Sequence, residues 1–522
     1  MKRVYYLGIA FISMFGTSSC SDSFLSVEPA SSIGIDGYYN TENHILEAIS
    51  AAYGPLQWFD YYDGQCAPLC LVYDCMADDI YVGGSNTSDQ QQLHLISQYL
   101  SDPNKSITSV WTTCYTGINR SNLVIADAES SNLSEDDKAQ YIAEARVLRA
   151  FYYSILWKLW GNIPFYDSNL TDPFIAEQKK ANEIYQLMEA DLVQVLDSKL
   201  LPMKQNEKWA GRITQAMAAM LYAEYVMYQQ DETRYNKALE YMKSIIKSNN
   251  YSLQPYENLW ETQYEWNDET IFDINYIAKG GKRSWGNNGA SGGATLPTMV
   301  GISGLNGSPD YVAGWGFGSV SKEAYDIFEE GDKRRDIGIL NIDQYIKENA
   351  SKGITVSYDK RYQNTGLFLR KYLGRIGGNT GCIGDSDLNW DNNLRVYRYA
   401  ETLLNAAELA LRTNDINSAN EYLSQIRKRA NLDPIEATMD NILLERRREF
   451  IGEGKRYFDL VRFGKAKEVL KAKGGKVLDK SSGDFTKDGI PERIQWTDQK
   501  RYLPIPQSEI EAAKGTLTQN SY

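Results

Sequence analysis

The chain has 522 residues, 43% hydrophobic, 24% charged and 12% aromatic, with a formal net charge of −13. This is globular composition, and an acidic surface of that size repels phosphate backbones, which argues against nucleic acid as a partner. Only two histidines occur, His44 and His94, so a histidine-rich metal centre is disfavoured and a Ser-His-Asp triad would have to rest on one of them. The 37 tyrosines, 15 phenylalanines and 11 tryptophans are instead enough aromatic surface for a core, a binding face, or both.

The first element is an address. Lys2 and Arg3 precede a mostly apolar run from Tyr5 to Phe15, and Thr17-Ser18-Ser19-Cys20 closes it with small residues. Residues 1–19 read as a lipoprotein signal peptide, with Cys20 acylated as the new N-terminus. Thr17 stands where such motifs usually carry Leu, so the motif is loose; ordinary cleavage beside an incidental cysteine is the alternative. No other stretch holds 18 apolar residues in a row, which leaves the lipid as the membrane anchor. The remaining cysteines are Cys66, Cys70, Cys75, Cys114 and Cys382. Export would allow four of them to pair, and Cys66, Cys70 and Cys75 are close enough for at most a local disulfide. They lack a second pair or a nearby histidine, so no zinc, other metal or cofactor is expected.

Much of the mature chain has helical periodicity. In 139–160, Tyr141, Ala145, Leu148, Tyr152, Ile155 and Leu159 recur every three or four residues, and Gly161 and Pro164 stop the run. Further helices are predicted over 181–197, 212–229, 234–248, 396–412, 415–430 and 439–451. Ala216, Ala219, Ala223 and Ala238 in one pair, and Ala407 and Ala419 in another, are the small residues that tetratricopeptide-like pairs need where helices cross. Residues 279–318 differ, with 12 glycines around Trp285 and Trp315. A long irregular loop inside a compact chain is usually functional. Residues 470–500 also read as loop. The expected fold is mainly α, a scaffold of tetratricopeptide-like helix pairs with large irregular insertions. The helices occupy about 105–250 and 396–465, a loop-rich binding region about 251–395, and a C-terminal loop region 466–522, all within one domain from residue 20 to 522.

Several segments together resemble the SusD/RagB family of nutrient-binding outer-membrane lipoproteins. They are Glu144-Ala145-Arg146-Val147-Leu148-Arg149-Ala150-Phe151-Tyr152-Tyr153, Leu159-Trp160-Gly161-Asn162-Ile163-Pro164, Gly331-Asp332-Lys333-Arg334 and Arg398-Tyr399-Ala400-Glu401. The most specific is Glu445-Arg446-Arg447-Arg448-Glu449-Phe450 through Gly452-Glu453-Gly454-Lys455-Arg456 to Arg462, followed near the end by Tyr502-Leu503-Pro504-Ile505-Pro506. The resemblance implies a non-catalytic, surface-exposed SusD-like lid over a SusC-like TonB-dependent transporter, capturing oligosaccharide or, in the RagB branch, peptide. Glu445 to Arg448 reads as a helix bearing ion pairs, a structural role.

In the starch-binding member of that family an arc of aromatics from three loops carries the sugar, which places Trp285 and Trp315 as ligand-binding candidates here. The first element of the arc corresponds to the loop near 78–92, where the family's tryptophan is absent. Tyr81 is its nearest aromatic, with Asn86 and Asp89 as hydroxyl partners. The chemistry is direct: sugar rings offer apolar C–H faces to aromatic planes, while their hydroxyls need polar partners. Trp58, Tyr61 and Tyr62 form another aromatic cluster, able to line the same face or a transporter interface. Asp385-Ser386-Asp387-Leu388-Asn389-Trp390-Asp391 begins like a calcium loop but has Trp390 where an EF-hand needs Gly and Val396 where it needs Glu. A secreted glycosidase and a purely structural surface protein are the rival classes.

Overall fold

In the computed structural model the described residues are 38–287, 289–478, 485 and 487–522. The leader and Cys20 lie outside them. The scaffold is a run of helices: α1 (Glu42–Tyr53), α2 (Thr108–Ser130), α3 (Glu135–Trp160), α4 (Ala181–Ser198), α5 (Gln215–Gln229) and α6 (Tyr235–Lys247). After a loop-rich stretch come α7 (Ile342–Ala350), α8 (Tyr399–Arg412), α9 (Ile416–Arg429) and α10 (Met439–Glu449). Consecutive members of α1 to α6 pack on one another, α6 packs on α8, and α8 on α9 and α10. The helical spacing of the apolar residues explains this order, because each helix buries its stripe against the next. The crossing alanines Ala216, Ala219, Ala223, Ala238, Ala407 and Ala419 are buried. Helix pairing is therefore present, while the tetratricopeptide label rests on the sequence.

Side-chain caps set the helix starts. Ser134 caps α3 by accepting the Asp137 N–H, Thr214 caps α5 through Met217 and Asp415 caps α9 through Ser418. α3 ends at Gly161, whose φ of +69° needs no Cβ, and Tyr502 packs over it. Trp157 and Trp160 on this helix are fully buried, each stabilising the core by roughly 2–3 kcal/mol. One continuous apolar cluster among the described residues includes side chains from Ala48 to Leu517; a smaller one sits under the loops around Ile302, Tyr311, Ile342 and Phe368. No helix of the described residues is long and apolar enough to cross a membrane.

Two expectations need correction. Residues 396–398 are not the start of a helix: Leu394–Arg398 form a strand antiparallel to Thr270–Ile274, with Ile274 opposite Leu394. Helix α8 begins only at Tyr399, since pairing with a distant strand overrides local periodicity. Nor is there a local disulfide, because Cys66, Cys70, Cys75, Cys114 and Cys382 are all free. The first four are buried, and burial pushes the Cys66 thiol up to about 12.

The segments that carried the resemblance meet in a buried ionic lattice. The Arg334 guanidinium pairs with Asp332 (2.7 Å), Glu445 (2.7 Å) and Glu449 (3.0 Å), all fully buried. Glu449 also holds Arg398 (2.5 Å) and Arg429, and Arg398 reaches Glu453 (2.8 Å) and Glu269 (2.9 Å). Burial alone would raise the Glu449 carboxyl, but Arg429, Arg398 and Arg334 outweigh it and hold it well below the usual range. Asp78 and Asp79 form a separate ionic cluster with Arg456 (2.9 Å) and Arg447 (2.5 Å). The lattice fixes α10 to the strand at 394–398, and the Arg447 pairs fix it to the base of the 78–92 loop.

Candidate functional site

Three long-range ties assemble the glycine-rich region. Asp60, fully buried, accepts the Thr295 N–H (2.6 Å) and the Leu296 N–H (3.1 Å). Arg283, also buried, donates to the Gln57 carbonyl (2.5 Å) and to the Gly293 carbonyl. Trp390 donates its indole N–H to Thr298 Oγ1 at 2.7 Å. Burial raises the Asp60 carboxyl, and the nearby Arg283 charge opposes that rise.

These ties bring Trp285 and Trp315 together. Their ring centroids lie 5.7 Å apart with planes inclined by 31°. Trp285 is 52% exposed, whereas Trp315 is half-buried against the main core. The Trp315 N–H bonds the Thr298 carbonyl (2.8 Å), and its carbonyl accepts from Arg361 (3.2 Å). Gly314 is required beside it, because a Cβ there would lie 2.4 Å from the Thr298 carbonyl oxygen. Trp285 is held from two sides. Its N–H bonds Asp385 Oδ2 (3.2 Å), and Tyr61 meets its ring edge-on at 5.3 Å and 85°. Tyr61, 2% exposed, accepts the Gly286 N–H at 2.9 Å on its hydroxyl.

A sugar ring between two facing indoles needs about 7–8 Å, two van der Waals contacts deep. At 5.7 Å the two rings touch each other, so they form one bent aromatic surface whose outer part faces solvent. Beside it, Trp58 stacks on Tyr62 at 5.4 Å under the Arg120 guanidinium. Trp58 is buried and lies against Gly289 of the glycine-rich region, where a Cβ would come within 3.1 Å of its ring.

The 78–92 loop reaches this surface through its backbone. Residues Ile80–Gly83 pair antiparallel with Phe317–Val320, and the Gly84 N–H bonds the Gly316 carbonyl (3.0 Å), next to Trp315. Gly84 has φ +77° and packs on the Phe317 ring, where a Cβ would lie 2.7 Å away. Asp89 closes the turn by accepting the Ser85 N–H (2.9 Å) and hydroxyl (2.8 Å); Asn86 Oδ1 accepts the Ser88 N–H (2.8 Å). Asn86 is exposed.

Tyr81 is not brought to the tryptophan pair. It sits opposite Ser319 in the strand pair and lines a small cleft with Arg493, Lys473 and Gln363 in which neither tryptophan takes part. Its hydroxyl packs on Gly475, and burial pushes the phenol up to about 12. Sequence reasoning missed Arg361, Asp385, Asp60 and Arg283 as anchors, since each acts on a residue far away in the chain. Among the described residues no cluster of His, Cys, Asp or Glu is placed to hold a metal ion.

Comparison with known proteins decides the family. Residues 268–522 match the SusD family model, and residues 71–226 match a model described as starch-binding associating with outer membrane. Surface glycan-binding protein A from Bacteroides thetaiotaomicron, solved in complex with laminarihexaose, is 43% identical, with a TM-score of 0.84 over 92% of this chain and 100% of that one. The chain belongs to the SusD family. Its namesake protein A from Bacteroides uniformis is 40% identical over 92% of this chain and 100% of that one, with a TM-score of 0.80. SusD-like protein P2 of Formosa agariphila is 24% identical, covering 94% of each chain. This SusD family member thus shares its structural relatives' fold over 92% of its length.

Proposed function

We propose that the chain is a non-catalytic glycan-binding protein that takes a laminarin-type β-glucan on the Trp285–Trp315 surface. The observation that carries this reading is the paired indole surface itself, half-exposed and held in place by Tyr61, Asp385 and Arg361. The relative solved with laminarihexaose supports the ligand class, because it is similar over nearly the whole chain. Asn86 and Asp89, on the loop bonded to Gly316, supply polar contacts to sugar hydroxyls beside Trp315. In this reading a lipid on Cys20 holds the chain at the outer membrane, where it acts as a lid delivering oligosaccharide to a SusC-like TonB-dependent transporter.

The test of binding is calorimetric titration of the chain from Ser21 with laminarihexaose. Saturable heat that is lost in the Trp285→Ala, Trp315→Ala double variant supports the site. Saturable heat that survives intact in that variant refutes it. Prolonged incubation with the hexasaccharide separates binding from cleavage: the reading predicts no shorter products.

A further inference from the structure

A second cavity lies between the connection joining α4 to α5 (199–214), Tyr251 and the loop at 261–269 that leads into the strand Thr270–Ile274. Its volume is about 400 Å³, within the range of small-molecule sites, and it shares no lining residue with the Trp285 surface. Trp266, Tyr251, Gln205, Asn206, Thr214 and Glu265 are among its walls.

Trp266 is the unusual residue. It has φ +57°, the left-handed region that a bulky side chain seldom enters, and is the one tryptophan among the described residues to do so. Backbone held this way persists only where its surroundings fix it, and it concentrates at ligand sites. Here a glycine does part of the fixing. Gly211, at φ +93°, lies against the indole, and a Cβ on it would come within 3.3 Å of the ring and 2.1 Å of Asn275 Nδ2.

The cations in the wall are already matched, and of its carboxylates only the exposed Glu207 has no cation beside it. Lys204 pairs with Asp268 (2.6 Å), Arg212 bonds Glu144 (3.0 Å), and Glu265 accepts the Asn393 N–H (2.8 Å) and lies 3.3 Å from Arg395. An anionic ligand would find no uncommitted cation among the lining residues. The Thr214 and Tyr251 hydroxyls are engaged, by the α5 cap and by the Met203 carbonyl, so what the wall offers is an indole with two side-chain amides. Gln205 Nε2 donates to the Ile213 carbonyl (3.1 Å) and Asn206 Oδ1 accepts the Trp209 N–H (3.3 Å), which leaves Gln205 Oε1 and the Asn206 amide hydrogens to a neutral ligand. That combination recognises a polyhydroxylated, uncharged ring.

We propose that this cavity is a second carbohydrate site, binding one or two sugar units of a neutral glycan, with Trp266 as its stacking platform and Gln205 and Asn206 meeting the hydroxyls. A glycan chain engaging both sites would be retained by avidity beyond either site alone. The second site stands independently of the Trp285 reading.

The experiment is fluorine NMR of 5-fluorotryptophan-labelled protein, carried out in the Trp285→Ala, Trp315→Ala background. The Trp266 resonance is assigned by its loss in Trp266→Gly, a change that also suits the left-handed backbone and so preserves folding. Laminaribiose, cellobiose and maltose are each titrated to about 10 mM. The proposal predicts that at least one shifts the Trp266 resonance saturably, and that Gln205→Ala weakens that affinity about fivefold or more. A Trp266 resonance unmoved by all three sugars overturns it, as does a shift that Gln205→Ala and Asn206→Ala together leave unchanged. Wild-type protein run alongside reports Trp285 and Trp315 separately, so failure of either site is distinguishable from failure of the other.

Discussion

Truncating Trp285 to alanine should weaken laminarihexaose binding without unfolding the chain. An aromatic side chain presents roughly 150–250 Å², and Trp285 is 52% exposed, so about 100 Å² is open to a ligand. A sugar ring covers one face, about half of that area, and at about 25 cal/mol per Å² the contact is worth about 1–1.5 kcal/mol. Kd should therefore rise about tenfold. Trp315→Ala should cost at least as much, because it also removes the ring on which Trp285 leans at 5.7 Å. The two effects should fall short of additivity by roughly 0.5–1 kcal/mol, since either truncation already spoils the shared surface. Calorimetric titration of the single and double variants gives the cycle, and thermal melts check that the fold is intact. Unchanged affinity in both single variants would falsify the placement of the ligand on this surface.

The other predictions concern the supports. Tyr61→Phe keeps the ring against Trp285 but removes the acceptor of the Gly286 N–H, so binding should weaken by about 1 kcal/mol or less with Tm nearly unchanged; tighter binding would contradict the anchoring role. Glu449→Gln leaves Arg334, Arg398 and Arg429 without their shared carboxylate and should destabilise by roughly 3–5 kcal/mol in urea, whereas a loss under about 1 kcal/mol would show that the lattice does not depend on it. Acid should act in the same direction. Glu329 is pushed down to about 2, first by hydrogen bonding from Arg427, and burial at Glu453 and Asp459 is outweighed by their cations, so both are also lowered. Groups lowered on folding contribute fully above their unfolded value of about 4 and lose that contribution as pH falls through the folded value. Buried carboxyls raised on folding, Asp60 and Asp273 among them, act in the opposite sense but finish titrating above about pH 4, so the urea midpoint should drop between about pH 4 and pH 2; a flat or rising midpoint in that window would contradict the signs. Finally, a thiol reagent should reach only Cys382 in the native chain from Ser21 and all five cysteines after denaturation without reductant, since no disulfide protects them.

The sequence made the helices legible because their signal is local. The three-and-four spacing from Tyr141 to Leu159 and the stop at Gly161 together mark α3, and the alanines at the crossings anticipate which helices touch. Long-range pairing is where local reading stops. Val396 continues an apolar pattern that looks helical, yet its segment is a strand because Thr270–Ile274, far back in the chain, lies beside it. Trp285 and Trp315 stand out as tryptophans among glycines. Their mutual contact does not, because it depends on Asp60 reaching Thr295 and Arg283 reaching Gln57. Tyr81 shows the finer limit. Strand alternation buries Ile80 and Val82 and sends the tyrosine toward Gly475, but only a reader who already knows that a strand is present can use that alternation.

The central claim is that this acidic, tryptophan-bearing chain binds a glycan. The most direct measurement is titration of the unlipidated chain from Ser21 against laminarihexaose, maltohexaose and a tryptic peptide digest under identical conditions. Saturable heat with laminarihexaose, less with maltohexaose and none with peptides is the predicted result. Heat from the peptides alone, with neither hexasaccharide binding, would contradict it.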